Sequence, residues 1–259
     1  MIMPFKLRQW LSKKQLESMK IDAHLESGLV MPLRSFANWW IFNEIFLLNE
    51  YDRAIELTLS LEGQKEINVI DCGANAGLFT MRMMDRFLVK KRNVKLNLWL
   101  IEAAPHLVKE LQSKMKSIGN SNINIQILSG LVGKRTGTAT FQLGKTDDVT
   151  NYVSEKPLLN WTTRGKIKHL SYVDLEKMIG EETSLDLIKV DIEGSEFDFI
   201  ESYSSLLKRT RVLAVEFHHA FGDVHNAIDK LSEAGLDLVH TNKKADTRSS
   251  TLVFNRRVE

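Results

Sequence analysis

Cysteine, net charge, long apolar runs and internal repeats are all scarce or missing in this chain. The one cysteine, Cys72, excludes an internal disulfide and a multi-cysteine zinc site, and it fits a reducing, cytoplasmic setting. Lys and Arg total 35 against 33 Asp and Glu, a formal charge of +2, so no strong field points to nucleic acid or an anionic membrane. Lys90-Lys91-Arg92 and Lys243-Lys244 are short basic runs of the kind that face solvent. The first twenty residues mix Lys6, Arg8, Lys13 and Lys14 with isolated apolar residues and lack the pattern of a signal peptide. The greasiest stretch, Phe36 to Leu48, is interrupted by Asn38, Asn43 and Glu44 and falls short of the roughly 20 apolar residues that span a bilayer. What is present is an ordinary globular balance, 43% hydrophobic and 26% charged, enough for a sizeable core.

Residues 1–62 read as a helical N-terminal segment, with Asn38 to Leu61 one helix ending at Gly63 as its C-cap. From residue 63 to 259 the texture is that of one α/β domain. Short apolar runs at 67–70, 96–101, 123–128, 185–190, 212–215, 236–239 and 251–254 alternate with helical patterns near 78–92, 105–118, 172–180, 195–208 and 222–234. That alternation predicts a Rossmann-like, doubly wound, seven-stranded and mostly parallel sheet. No helix fits between the last two runs, so the last strand is expected antiparallel. Thr138 to Leu143 reads as an extra strand, and Asp147 to Lys168 as a loop over the mouth of the site.

The strongest local signal is Asp71-Cys72-Gly73-Ala74-Asn75-Ala76-Gly77-Leu78-Phe79, an apolar strand that ends in an acid, turns through glycines and enters a helix. Gly73 and Gly77 let a ligand approach the backbone, and the amides of the helix start face it. Asn75 tolerates a positive φ, and its presence argues against the G-x-G-x-x-G of a nicotinamide dehydrogenase. The second strand ends in Glu102 before Ala103, where a carboxylate can accept from both hydroxyls of a ribose. The third ends at Ser129-Gly130-Leu131, where an adenine would be sandwiched.

These segments, together with Lys189-Val190-Asp191-Ile192-Glu193-Gly194-Ser195-Glu196, resemble the FkbM family of methyltransferases. Asn49-Glu50-Tyr51, Ile101-Glu102-Ala103-Ala104-Pro105 and Val215-Glu216-Phe217-His218 are similar as well, so the likeness runs from about residue 36 to 256. Glu102 followed by Ala103, and Ser129-Gly130 in place of an Asn-Ala pair, depart from the family pattern. The resemblance implies a class I methyltransferase fold, S-adenosylmethionine as the methyl donor, and O-methylation of sugar or polyketide hydroxyls. It implies donor contacts from Tyr51, Asp71, Gly73, Ala74, Asn75, Gly77, Leu78, Phe79, Glu102, Ala103, Ser129, Gly130, Leu131 and Asp191.

Methyl transfer to a hydroxyl needs alignment of two reactants and removal of a proton. Asp191 is the expected donor-facing carboxylate, and Glu193, Glu196, Glu216 and His218 are the candidate bases. No metal-ligand set has tight spacing in the sequence, and none is assigned; Asp191, Glu216 and His218 remain an alternative set for a divalent ion. Nucleic-acid methylation is the first rival, but the segment after the fourth strand lacks the Asn/Asp-Pro-Pro-aromatic pattern that holds a base. A non-catalytic binding protein of the same fold is the second. The acceptor is expected to meet the cover at 145–168, with Tyr152, Trp161 and Arg164, and Trp39, Trp40, Phe42 and Phe46 are placed to supply an interface between copies.

Overall fold

The computed structural model describes residues 14–16, 18–60, 62–90, 93–133, 137–144, 152–153, 161–243 and 248–257. Where the sequence pattern predicts only helix, the first described strands form a hairpin, β1 (Ile21–His24) antiparallel to β2 (Val30–Leu33). The reason lies in the turn. Gly28 takes φ 88°, and the amide of Leu29's neighbour Gly28 donates to the Leu25 carbonyl at 3.0 Å. Alternation then directs Met31 and Leu33 inward, where both are buried.

The expected helix 38–61 is also divided. Helix α1 (Phe36–Phe42) starts at Ser35, whose side chain accepts from the Asn38 amide, and runs into a π-helical turn, Asn43–Leu47. Asn49 at φ 56° breaks the run before α2 (Asp52–Leu59). That helix ends at Ser60, so Gly63 lies beyond it rather than capping it.

The rest follows the predicted alternation. In chain order come β3 (Glu66–Cys72), α3 (Leu78–Lys90), β4 (Lys95–Glu102), α4 (Pro105–Lys116), β5 (Ile123–Ser129), β6 (Leu131–Val132), β7 (Thr138–Gly144), β8 (Tyr152–Val153) and β9 (Trp161–Leu170). They are followed by α5 (Tyr172–Ile179), β10 (Leu185–Val190), α6 (Glu196–Ser202), α7 (Ser204–Lys208), β11 (Thr210–His218), α8 (Val224–Glu233), β12 (Leu236–Lys243) and β13 (Ser249–Arg256). The seven-stranded sheet has the order β12-β13-β11-β10-β3-β4-β5, and β13 is antiparallel to both its neighbours. A second sheet, β6-β9-β7-β8, takes up much of the insertion. The segment expected as a loop from Asp147 to Lys168 therefore contains a strand, β9 (Trp161–Leu170), paired antiparallel to β7. Positions 145–151 and 154–160 of that expected cover lie outside the described residues, as do the side chains of Tyr152, Trp161 and Arg164.

Strand periodicity sorts the core into two faces. Ile67, Val69, Leu187, Val212 and Ala214 face one way and pack with Met31, Tyr51, Ile55, Phe79 and Phe87. Ile70, Cys72, Ile188, Val190, Leu213 and Val215 face the other and pack with Leu175, Phe199, Leu206 and Leu231. The N-terminal elements thus share a core with the sheet. Asp71, Lys189, Glu216 and His218 continue the first series in register, so the parity of the strands places the polar groups on the side of Tyr51. Among the described residues no helix is long and apolar enough to cross a membrane.

Candidate active site

The carboxyl ends of the parallel strands align, and the turns that leave them form the site. Cys72 pairs with Val190 on one side and Ile101 on the other, while Glu102 pairs with Ser129. The glycine turn is pinned by three hydrogen bonds to two neighbours. The amides of Gly73 and Ala74 both donate to the Ile101 carbonyl at 3.0 Å, and the amide of Asp191 donates to the Cys72 carbonyl at 3.1 Å. Gly73 takes φ 78°, and a Cβ there would overlap the Asp191 carbonyl oxygen, so no other residue fits the crossing of the two turns. Asn75 takes φ 49°, as the sequence suggests, and its side-chain oxygen accepts from the Ala76 amide at 2.7 Å.

Glu102 stands at the centre of this arrangement. Its Oε2 accepts from the Asn75 amide at 2.8 Å and its Oε1 from the Ala104 amide at 2.7 Å. Burial pushes its carboxyl above the usual range, against the pull of those backbone amides and of Lys189. Ala103, Leu107 and Leu131 pack around buried Ala104 beside it. Gly130 donates its amide to the Glu102 carbonyl at 3.0 Å and lies beneath the Leu170 side chain.

Lys189 was not among the residues expected in the site, yet it organises half of it. It sits directly opposite Asp71 in the β3–β10 register, and both side chains are buried. Its ammonium lies 3.3 Å from Asp71 Oδ1 and 3.5 Å from Asp191 Oδ2, and donates to the Gly73 carbonyl at 2.8 Å. Burial disfavours the charge, but Asp71 and then Asp191 outweigh it and hold the lysine protonated well above its ordinary range. Asp71 Oδ2 also accepts from the Thr80 hydroxyl at 2.8 Å. The signal for this lysine lay in its strand: every residue of Leu185–Val190 is buried, and a lysine among them requires partners.

Tyr51 and Phe79 wall this group, their rings edge to face at 5.2 Å with the Lys189 ammonium about 6 Å from each (5.9 and 6.0 Å). Tyr51 is 2% exposed, and its hydroxyl has no hydrogen-bond partner among the described residues. Leu78 and Phe79 are both buried in the core.

The acids after β10 and the histidine of β11 meet in a second group. Glu196, one of the candidate bases, lies in the first turn of α6 and is wholly buried. Its Oε1 accepts from the amides of Ile192 at 3.2 Å and Gly194 at 2.9 Å, and lies 3.0 Å from His218 Nδ1. His218 Nε2 lies 3.4 Å from Glu193 Oε2. Burial opposes charge on His218, but the hydrogen bond and charge of Glu196, then Glu193 and Glu216, raise its pKa to about 9. Burial, then repulsion from Asp191, raises Glu193 to about 7. Glu193 also sits at φ 53°, a left-handed conformation that is rare for glutamate. Glu216, 7% exposed, points to the face that carries Lys189, while His219 lies outside the group with Nε2 2.9 Å from the Ser250 hydroxyl. The alternative ion set foreseen in the sequence is rearranged: Asp191 and His218 come together with Glu196 rather than with Glu216, their ligand-capable atoms all within 4.8 Å.

Residues 71–238 match the family model of the methyltransferase FkbM domain. The chain belongs to the FkbM methyltransferase family. It is therefore an S-adenosylmethionine-dependent methyltransferase, and the match takes in the glycine turn, Glu102, Lys189, the Asp191–Glu196 segment and His218. No curated protein matches the chain significantly. Among solved structures, the METTL16 methyltransferase domain is 12% identical, with 96% of this FkbM chain and 91% of that one covered and a TM-score of 0.50. Magnesium protoporphyrin IX methyltransferase from Synechocystis PCC 6803, solved with bound SAH, is 10% identical over 86% of this chain and 88% of its own, with a TM-score of 0.48. An rRNA methylase from Streptococcus thermophilus is 8% identical, covering 81% and 95%, with a TM-score of 0.43. At such identities the likeness concerns the fold, a Rossmann-like methyltransferase sheet.

Proposed function

We propose that this FkbM methyltransferase transfers a methyl group to a hydroxyl of a sugar, glycan or polyketide-like small molecule. The observation that carries the reading is the pairing of a donor cradle with an acid–histidine group at its mouth. In this assignment residues 63–259 form the methyltransferase domain, and residues 1–62 form an N-terminal segment whose described elements pack on the same core.

The residues present fit the donor. A carboxylate offers about four lone-pair sites, and the Asn75 and Ala104 amides take two of those on Glu102, leaving two for the paired hydroxyls of a ribose. The turn from Gly73 to Gly77 runs beside Glu102 and would carry the methionine part, and the buried Tyr51 hydroxyl lacks a hydrogen-bond partner among the described residues, one that a polar ligand would supply. Ala103, Ser129, Gly130 and Leu131 border the adenine position. When bound, the donor supplies an electrophilic methyl group on a cationic sulfur. Asp71 and Asp191 bring two carboxylates to a single ammonium at Lys189, so this corner carries net negative charge that favours a cation over its neutral product.

At the acceptor, Glu193 takes the hydroxyl proton as the oxygen–carbon bond forms and the carbon–sulfur bond breaks. His218 steadies Glu193 through Nε2, and Glu196 fixes the ring through Nδ1. Acids in this position suit a hydroxyl better than a nucleobase, for which Asp191-Ile192-Glu193-Gly194 offers neither proline nor an aromatic face.

The test is calorimetry with S-adenosylmethionine followed by methyl transfer to panels of glycans, polyketide alcohols and RNA. Glu102→Ala is expected to weaken donor binding about 30- to 100-fold, the loss of one or two charge-assisted hydrogen bonds. Methylation confined to RNA, or donor affinity unchanged in this variant, would overturn the reading.

A further inference from the structure

We propose that Asp191, Glu196 and His218 form a binding site for one divalent cation, of the manganese class, beside the methyl-transfer position. Asp191 and Glu196 belong to the segment that follows β10 and His218 ends β11, and their donor atoms lie within 4.8 Å of one another. Three features of the site suit an ion.

The spacing is the first. His218 Nδ1 is 3.0 Å from Glu196 Oε1. That contact is a hydrogen bond when no ion is bound, and the same separation is the one expected of two ligands at about 2.1 Å from an octahedral ion at right angles. The second is an orphan. Glu196 is wholly buried; its Oε1 is held by the Ile192 and Gly194 amides, whereas its Oε2 is buried without a hydrogen-bond partner. A buried carboxylate oxygen left unmatched is destabilising, and such groups in native proteins call for a missing water or ion. The third is the far side of the imidazole. A histidine that ligates a metal through one nitrogen nearly always donates from the other to a carboxylate, and Glu193 Oε2 stands 3.4 Å from His218 Nε2.

The donor set selects the ion class. Two carboxylates and one imidazole carry a charge of −2 when His218 is neutral, with hard oxygens and one borderline nitrogen. That combination suits Mn²⁺, with Mg²⁺ and Zn²⁺ as competitors. Three protein ligands leave open positions on an octahedral ion, and one of these can take the acceptor hydroxyl and lower its pKa, so that Glu193 removes an easier proton. The inference about acceptor activation rests on the O-methylation reading; the ion site itself does not.

The experiment is a titration of the full chain, stripped with EDTA, with Mn²⁺ in the absence of donor and acceptor, followed by electron paramagnetic resonance and calorimetry. One ion per chain is expected to bind saturably. Affinity should fall at least tenfold in His218→Ala and in Glu196→Gln, the latter keeping the shape that the loop amides hold. Asp237→Asn, whose carboxylate pairs with Arg257 at the surface, should bind as the native chain does. Circular dichroism and thermal melting confirm that each variant is folded. The proposal is overturned by the absence of saturable binding, by binding that is unchanged in folded His218→Ala, or by equal loss in Asp237→Asn. Saturable binding at this site alongside failure to methylate any hydroxyl would sink the functional reading and leave the ion site standing.

Discussion

Lys189→Met is expected to destabilise the fold by about 3–5 kcal/mol, the usual consequence of leaving a buried charge without its partner. Methionine matches the length and bulk of the lysine stem, so the loss isolates the ammonium. That group is the counter-ion of Asp71, which is 0% exposed and whose other side-chain partner among the described residues is the Thr80 hydroxyl. It also ties the Gly73 carbonyl to β10, so the glycine turn loses an anchor. Urea unfolding monitored by circular dichroism should show the midpoint falling with little change in slope. The double variant Asp71→Asn with Lys189→Met should recover part of the loss, because it removes the stranded charge as well as its partner. A loss below about 1 kcal/mol in the single variant would show that Asp71 is not held as a buried anion, which contradicts the ion pair.

The second large effect is on turnover. Glu193→Gln is expected to lower kcat on a hydroxyl acceptor by about 10²- to 10⁴-fold, the range supplied by general base catalysis. Glutamine keeps the size of the side chain and a polar contact with His218, but it cannot take a proton. Glu193 is the acid of the second group that reaches solvent, its side chain 41% exposed, whereas Glu196 is sealed beneath it. Its left-handed backbone stores strain of order 1–3 kcal/mol, held in place because Glu196 binds the amides on both sides of it. Donor affinity should stay within a factor of about three, since glutamine keeps the size of the side chain and the hydrogen bonds of the cradle are made by Gly73, Asn75 and Glu102. A drop in kcat of less than threefold would move the proton-accepting role to His218 or Glu216.

Much of this architecture was legible because it is written in apolar runs. All seven strands of the main sheet lie where the runs at 67–70 through 251–254 indicate, and the helices between them start within a few residues of the predicted positions. The sheet's antiparallel end was readable from the lack of space between β12 and β13. The N-terminal hairpin was not, because its strands have four residues each and one contains Pro32, a poor strand former. Its signals were Ser27-Gly28 and the alternation of Ile21 and Ala23. Strand β9 escaped notice for another reason: Trp161–Leu170 is rich in Thr, Lys and Arg, and its partners lie in the insertion rather than in the main sheet.

The site divides in the same way. Short-range chemistry was visible: Asp71, Gly73, Asn75 and Glu102 meet as a strand–turn–helix motif requires. Long-range pairing was not, since nothing local tells that His218 closes on Glu196 across 22 positions. The preference of helix starts for acids explains Glu196 equally well until its burial is known. Lys189 was the one avoidable omission, a charge within a strand hidden on both faces.

The order of the last three strands carries a consequence for biosynthesis. β13 lies between β11 and β12 although the ribosome makes it after both. At about 5–20 residues per second, some 2–8 seconds separate the emergence of His218 from that of Arg256. Throughout that interval the outer edge of β11 has no partner, and an open edge is a template for the wrong neighbour. The nascent chain is thus exposed to mispairing until β13 has been made, and His218 is made early but housed late.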